Sequence, residues 1–136
     1  MEDDKKKKVI VMIDDDTDIE TIVDMKLRSV GFDVRMTTLP QVGLRMVEEM
    51  HPDLVLLDIN MPGMSGMEFL AELQGHVQLQ DMKFALFSSM VGDWSQDAHK
   101  QEMLGRMGAH AFIDKAIDLD LLVKEIRDLT ADAKGV

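Results

Sequence analysis

The sequence lacks cysteine and tyrosine altogether and has a single tryptophan among its 136 residues. Without cysteine the chain forms no disulfide bond and no thiolate metal site, and its redox compartment stays undetermined. No apolar run approaches the ~18 residues of a membrane span. The start, MEDDKKKK, lacks the apolar stretch of a signal peptide. These absences predict a cytoplasmic protein with no membrane segment.

Positive charge is scarce as well. Lys and Arg number 15 against 26 Asp and Glu, and the formal net charge is −11. Because phosphate backbones and anionic membranes bind clustered Lys and Arg, this balance argues against both as partners. The one basic run, Lys5 to Lys8, follows three acidic residues and is interpreted as a solvated end. We therefore predict a frayed N-terminus over 1–7, a single domain over 8–131 and a C-terminal tail over 132–136.

Short apolar runs alternate with longer amphipathic segments along the predicted domain. The runs of strand length are Val9–Ile13, Phe32–Met36, Asp53–Leu57, Lys83–Phe87 and Ala109–Ile113. Nearly continuous apolar runs are typical of strands buried on both faces, and the segments between them have helical periodicity. Five strand–helix units in series predict an α/β fold of the flavodoxin-like type. Its doubly wound, five-stranded parallel sheet has the order 2-1-3-4-5 and five covering helices.

Capping boxes predict where helices begin. The candidate pairs are Thr17 with Glu20, Thr38 with Gln41, and Ser65 with Glu68. Apolar residues recur at helical spacing after the first strand and are expected to face the core: Ile19, Ile22, Val23, Leu27 and Val30. Gly31 follows them, where a glycine suits the end of this helix.

Acidic and polar side chains stand at the carboxyl ends of the predicted strands. The first strand runs into Asp14 and Asp15, and the third ends at Asp58. The fourth ends at Ser88, and Lys115 follows the fifth. In the order 2-1-3-4-5, the ligand crevice lies outside the carboxyl ends of strands 1 and 3, where the winding reverses. These five residues are therefore predicted to converge at one edge of the sheet.

Carboxylates this close repel each other, and a hard divalent cation compensates them best. The histidines at positions 51, 76, 99 and 110 have no ligand-pair spacing, which argues against a transition metal. Mg²⁺ with a carboxylate nucleophile, a lysine and a hydroxyl makes a phosphoryl-transfer set. Asp58 stands alone and is the candidate nucleophile, whereas the adjacent Asp14 and Asp15 suit a metal. Asp16 or Thr17 is interpreted as a helix cap.

Four motifs, VMIDDD, PDLVLLDINMPGMSGMEFL, FALFSS and GAHAFIDK, follow one another between Lys8 and Leu129. In these motifs the chain resembles the receiver domain of two-component response regulators, which has the CheY-like fold. The resemblance implies that Asp58 accepts a phosphoryl group from a phosphohistidine on a sensor histidine kinase. It also implies that Asp15, Asp58 and the backbone carbonyl of Asn60 ligate Mg²⁺, or Mn²⁺ as a substitute. Asp14 would act mainly through water.

The resemblance extends to the residues that respond to phosphorylation. Ser88 matches the hydroxyl that follows the phosphate, Phe112 the aromatic that swings inward, and Lys115 the lysine that pairs with the phosphate. Three features depart from the family pattern. Ala116 stands where the family usually has proline, often with a cis bond, and Ser89 stands where the residue is usually small and often alanine. Residues 90–99 make the segment after strand 4 longer than expected.

The site residues and the predicted fold leave three functions open. The leading one is a receiver that signals by a local switch to an unknown downstream protein, as a monomer or a phosphorylation-linked dimer. It would be no enzyme beyond its own phosphoryl transfer and dephosphorylation. The alternatives are a phosphorylation-independent binding module of the same fold and an aspartate-nucleophile phosphatase. The chain stops at Val136 without a DNA-binding domain, so a stand-alone receiver is expected, and a fragment of a longer protein stays open.

Overall fold

In the computed structural model, strands and helices alternate along residues 7–58, 63–74, 82–89, 98–106 and 109–131, which are the residues that the structure describes. The strands are β1 (Val9–Ile13), β2 (Asp33–Thr37), β3 (Leu54–Leu57), β4 (Lys83–Ser88) and β5 (Ala111–Asp114). The helices are α1 (Thr17–Ser29), α2 (Pro40–Met50), α3 (Gly66–Gln74), α4 (Ala98–Arg106) and α5 (Leu119–Thr130). The predicted strands are confirmed, with ends shifted by two residues at most.

The five strands form one parallel sheet of order β2-β1-β3-β4-β5, as predicted. Ile13, the last residue of β1, lies opposite Thr37 of β2 and Leu57 of β3. The N–H of Asp58 donates to the carbonyl of Ile13 at 3.0 Å, which extends this register by one residue. The carboxyl ends of β1 and β3 therefore lie side by side, at the point where the winding of the sheet reverses.

The three central strands, β1, β3 and β4, are buried on both faces, as their nearly continuous apolar runs predicted. Ile10 and Met12 of β1 belong to a core cluster with residues of α1 and α5. Val11 and Ile13 belong to the opposite cluster, with residues of α2 and α3. Successive side chains of a strand point to opposite faces, so a strand covered on both sides must be apolar throughout.

None of the helices in the described ranges is long and apolar enough to span a membrane.

One of the three predicted capping boxes is confirmed. Before α3, the N–H of Ser65 donates to Oε1 of Glu68 at 2.9 Å, and the N–H of Glu68 donates to Oγ of Ser65 at 3.1 Å. The end of α1 also follows the prediction, since Gly31 has φ +102° and its N–H donates to the carbonyl of Arg28. A positive φ suits glycine, which lacks a Cβ.

The other two capping boxes are wrong. Helix α1 is capped by Asp16, whose Oδ1 accepts the N–H groups of Asp18 and Ile19, so Thr17 is the first helical residue. Helix α2 has Leu39 at its N-cap, without a side-chain hydrogen bond. The fixed φ of Pro40 and its missing N–H suit the first helical position, which sets the N-cap of α2 one residue beyond the predicted cap, Thr38.

Helix α2 approaches β1 closely at Gly43. A Cβ at Gly43 would lie 2.5 Å from Cδ1 and 2.8 Å from Cγ1 of the fully buried Ile13. We expect Gly43→Ala to lower the free energy of unfolding by about 1–3 kcal/mol, measured by urea unfolding, because the added methyl forces a shift in a packed core. In the control Gly105→Ala, a Cβ would meet nothing within 4 Å. That change should be neutral or stabilising by up to ~1 kcal/mol, and equal losses in both variants would contradict the close packing.

Candidate functional site

Three carboxylates meet beyond the carboxyl ends of β1 and β3. Asp14, Asp15 and Asp58 each offer an oxygen atom, and these atoms lie within 4.8 Å of one another. The side chains differ in exposure: Asp14 is 1% exposed and Asp58 5%, whereas Asp15 is exposed. The predicted convergence of the first and third strand ends is therefore present in the structure.

Asp14 is held by its own backbone turn. Its N–H donates to the carbonyl of Thr37 at 3.2 Å, which carries the β1–β2 register one residue further. Its Oδ1 accepts the N–H of Asp16 at 2.8 Å, at the point where the chain turns into α1. The same turn leaves Asp15 at the surface. Two neighbouring aspartates thus present one fixed and one solvent-accessible carboxylate.

Lys115 joins the two buried aspartates. Its Nζ lies 3.1 Å from Oδ1 and 2.9 Å from Oδ2 of Asp14, and 3.4 Å from Oδ2 of Asp58. The β4–β5 pairing brings it there, because the N–H of Lys115 donates to the carbonyl of Ser88 at 3.1 Å. Burial acts to lower the pKa of Lys115, but the hydrogen bond and charge of Asp14, followed by those of Asp58, outweigh it. The pKa is raised, so the ammonium stays charged.

The other predicted site residues lie nearby or outside the described ranges. Ser88 ends β4 and is 2% exposed. Phe112 of β5 is half-buried and packs against the core cluster on the α2–α3 face. Asn60 lies outside the residues that the structure describes, as does most of the 90–99 segment. At Ala116 the N–H donates to Oδ1 of Asp114, and the described residues contain no cis peptide bond.

Sequence reasoning missed Glu20 as a residue of this neighbourhood, because it assigned the side chain to a capping box. Glu20 is only 4% exposed, and its Oε2 has no hydrogen-bond partner among the described residues. Burial raises its pKa to about 7, with smaller contributions from the charges of Asp14 and Asp16. The sequence did hold a signal, since Glu20 precedes the buried Val23 and Leu27 by three and seven residues, on one helix face.

A family model of the response regulator receiver domain matches residues 10–127. The cell cycle transcriptional regulator CtrA of Caulobacter vibrioides is 31% identical over an alignment of 110 residues, and the match covers 71% of this chain and 47% of that protein. The cell cycle response regulator CtrA of Brucella ovis is 32% identical over 125 residues, 90% of this chain and 50% of that protein. The chain thus spans about half the length of the curated relatives that it matches.

Solved structures resemble the chain over most of its length. The chemotaxis protein CheY4 of Vibrio cholerae has a TM-score of 0.80 at 19% identity, covering 91% of this chain and 99% of that one, and it supports the fold alone. The CheY-like response regulator receiver domain protein of Methanospirillum hungatei has a TM-score of 0.79 at 25% identity, covering 92% and 94%. The BeF3-activated N-terminal receiver domain of RstA from Klebsiella pneumoniae has a TM-score of 0.77 at 26% identity, covering 92% and 100%. The chain belongs to the family of response regulator receiver domains.

Proposed function

We propose that this chain is a phosphorylatable receiver that takes a phosphoryl group on Asp58 from a sensor histidine kinase, in a Mg²⁺-dependent reaction. The observation that carries the proposal is the carboxylate group of Asp14, Asp15 and Asp58, whose oxygens lie within 4.8 Å of one another, with the Lys115 ammonium 3.4 Å from Asp58. This combination of oxygen donors and one cation is what phosphoryl transfer to a carboxylate requires.

The donor set suits Mg²⁺. The ion prefers oxygen ligands, is commonly held by one or two carboxylates, and keeps several of its waters. Asp15 and Asp58 would hold it directly, Asp14 mainly through water, and the carbonyl of Asn60 would complete the protein ligands. When bound, the ion neutralises oxygens of the transferring phosphoryl group. Mn²⁺, which also favours oxygen donors, would be a substitute.

Asp58 suits the role of nucleophile better than Asp14 or Asp15 does. Asp14 is tied to Lys115 through both of its oxygens and to the N–H of Asp16, and Asp15 is open to water. In the proposed step an oxygen of Asp58 attacks phosphorus, the bond from phosphorus to the histidine nitrogen of the donor breaks, and its electron pair stays on the imidazole. The Asp58 carboxylate becomes an acyl phosphate. Lys115, held protonated, then pairs with an oxygen of the new phosphoryl group.

Signalling would proceed through residues next to Asp58. Ser88 ends the neighbouring strand, and its hydroxyl would move toward the phosphoryl group as a hydrogen-bond donor. Phe112 lies opposite Leu86 in the β4–β5 pairing and is only half-buried, so it can turn inward when Ser88 moves. The altered face of β4 and β5 would be recognised by a downstream protein. We expect no nucleic acid in that contact, and either a monomer or a phosphorylation-linked dimer.

The proposal is tested by intact-mass measurement after incubation with Mg²⁺ and acetyl phosphate, or phosphoramidate, which carries the phosphorus–nitrogen bond of phosphohistidine. We expect one phosphoryl group per chain, stable in acid and labile in base, and no addition in EDTA. Asp58→Asn should lose the adduct, whereas Asp128→Asn, at an exposed position on α5, should keep it.

Two results would contradict the proposal. One is the absence of an adduct on the wild-type chain, which would favour a binding module that works without phosphorylation. The other is an adduct of equal size on Asp58→Asn, which would mean that another residue is the acceptor. Steady release of phosphate from varied monoesters would favour the phosphatase instead.

A further inference from the structure

We propose that Glu20 is a fourth carboxylate of the cation site, which strengthens Mg²⁺ binding through its charge and through the waters of the ion rather than by direct ligation. The inference rests on the proposed function, since it assumes that Asp14, Asp15 and Asp58 hold Mg²⁺. It adds a residue from α1 to a site otherwise built at strand ends.

The first observation is the state of the Glu20 carboxylate. The side chain is 4% exposed, and its Oε2 has no hydrogen-bond partner in the described part of the chain. Burying a carboxylate oxygen without a hydrogen-bond partner is unfavourable unless a cation, a donor or a proton compensates it. The unpartnered Oε2 of Glu20 therefore offers an acceptor to a cation or to the waters that a cation holds.

The second observation is the position of Glu20 next to the cation site. Its N–H donates to the carbonyl of Asp16 at 3.0 Å, and the N–H of Asp16 donates to Oδ1 of Asp14 at 2.8 Å, so Glu20 lies one helical turn from the Asp14 carboxylate. Lys115 already lies 2.9 Å from Asp14 and 3.4 Å from Asp58. One ammonium does not neutralise this many carboxylates, and a divalent cation adds the missing positive charge.

Geometry decides how Glu20 would act. The oxygens that lie within 4.8 Å of one another come from the three aspartates and not from Glu20. Direct ligation is therefore excluded in this arrangement. Mg²⁺ gives up its waters reluctantly, and a carboxylate beyond its direct ligands can accept hydrogen bonds from those waters. Glu20 is thus a positioning residue of the cation site.

A purely local role for Glu20 does not fit. The capping position of α1 is taken by Asp16, whose side chain accepts two backbone N–H groups. The helix face of Glu20 continues through Val23 and Leu27, where an apolar residue would pack without cost. A carboxylate at the end of this face nearest the cation site is explained if its negative charge interacts with the cation.

The test is calorimetric titration of Mg²⁺ into the wild-type chain and two variants at pH 8. Glu20→Gln keeps the shape and removes the charge, and Glu125→Gln makes the same change at an exposed position of α5. We expect the dissociation constant to rise about tenfold for Glu20→Gln, as loss of one charge near a divalent ion predicts, and less than about twofold for Glu125→Gln. Glu20→Asp, which restores the charge, should recover most of the affinity.

The outcomes separate this inference from the proposed function. If the wild type binds Mg²⁺ and forms the acyl phosphate while Glu20→Gln binds the ion equally well, the Glu20 inference is wrong and the receiver function stands. If the wild type binds no Mg²⁺, both fail. An equal loss of Mg²⁺ affinity in Glu20→Gln and Glu20→Asp would indicate a packing effect and would also overturn the inference. Thermal unfolding in EDTA checks that each variant is folded before titration.

Discussion

Replacing Lys115 with methionine is expected to lower the free energy of unfolding by about 3–5 kcal/mol in metal-free buffer. Methionine keeps much of the length of the side chain and removes its charge. Asp14 and Asp58, 1% and 5% exposed, would then be buried together without the ammonium that now lies 2.9 Å and 3.4 Å from them. Breaking a buried ion pair from one side leaves an uncompensated charge, and total stabilities of single domains are only about 5–15 kcal/mol.

The measurement is urea unfolding of the wild type and Lys115→Met in EDTA and in saturating Mg²⁺. Because the ion supplies the positive charge that the variant lacks, Mg²⁺ should recover more stability in Lys115→Met than in the wild type. A ligand at a hundred times its dissociation constant adds about 2.7 kcal/mol by mass action alone, which sets the scale.

Lys124→Met is the matched control. Its ammonium lies 3.8 Å from Asp128, and both side chains are at least 70% exposed. An exposed ion pair contributes about 0–1 kcal/mol, so this variant should unfold almost as the wild type does. Losses of similar size in the two lysine variants would mean that Lys115 is not the counter-charge of the buried aspartates.

The sheet and the convergence of its strand ends could be predicted because buried parallel strands can be recognised from a short stretch of sequence. A strand covered on both faces is apolar along its whole length, and the polar residue that follows marks its end. Asp14, Asp58, Ser88 and Lys115 were located by this rule alone. Their convergence then required only the order of the strands, which the reversal of winding in a doubly wound sheet supplies.

The rotation of α1 was harder to predict. Ile22 was expected to face the core and is 50% exposed, whereas Glu20 is buried. The apolar residues of this helix cover a wide arc, and the arc that faces inward depends on how α1 packs against the sheet and α5. Glu20 was also assigned to a cap, because the sequence does not tell which of two neighbouring residues, Asp16 or Thr17, begins the helix.

The pairing of Lys115 with Asp14 could not be read from the sequence either. The resemblance of the chain to receiver domains implied that Lys115 pairs with the phosphate. In the structure the Lys115 ammonium lies nearer to Asp14 than to Asp58. This preference depends on side-chain distances of less than an ångström. Such differences follow from packing around each carboxylate, which residue types and spacings do not encode.

Glu20→Gln is expected to make the chain more stable in metal-free buffer above neutral pH. Burial, followed by the charges of Asp14 and Asp16, raises the pKa of Glu20 from 4.5 to about 7, and Lys115 opposes this only in part. Between these values the folded chain binds more protons at Glu20 than the unfolded chain does. The free energy of unfolding therefore falls as pH rises from about 4.5 to about 7, by roughly 2–3 kcal/mol from this group, and levels off above.

Glutamine does not titrate, so its stability difference from the wild type should be smallest near pH 4.5 and grow to about 2–3 kcal/mol at pH 8. Urea unfolding of both proteins in EDTA across this range measures the difference, and the titrations of the other carboxylates, common to both proteins, largely cancel in it. Glu125→Gln, which makes the same change at an exposed position of α5, is the control. A constant difference between Glu20→Gln and the wild type would show that Glu20 stays ionised in the fold, because the carboxylate would then titrate alike in the folded and unfolded chains.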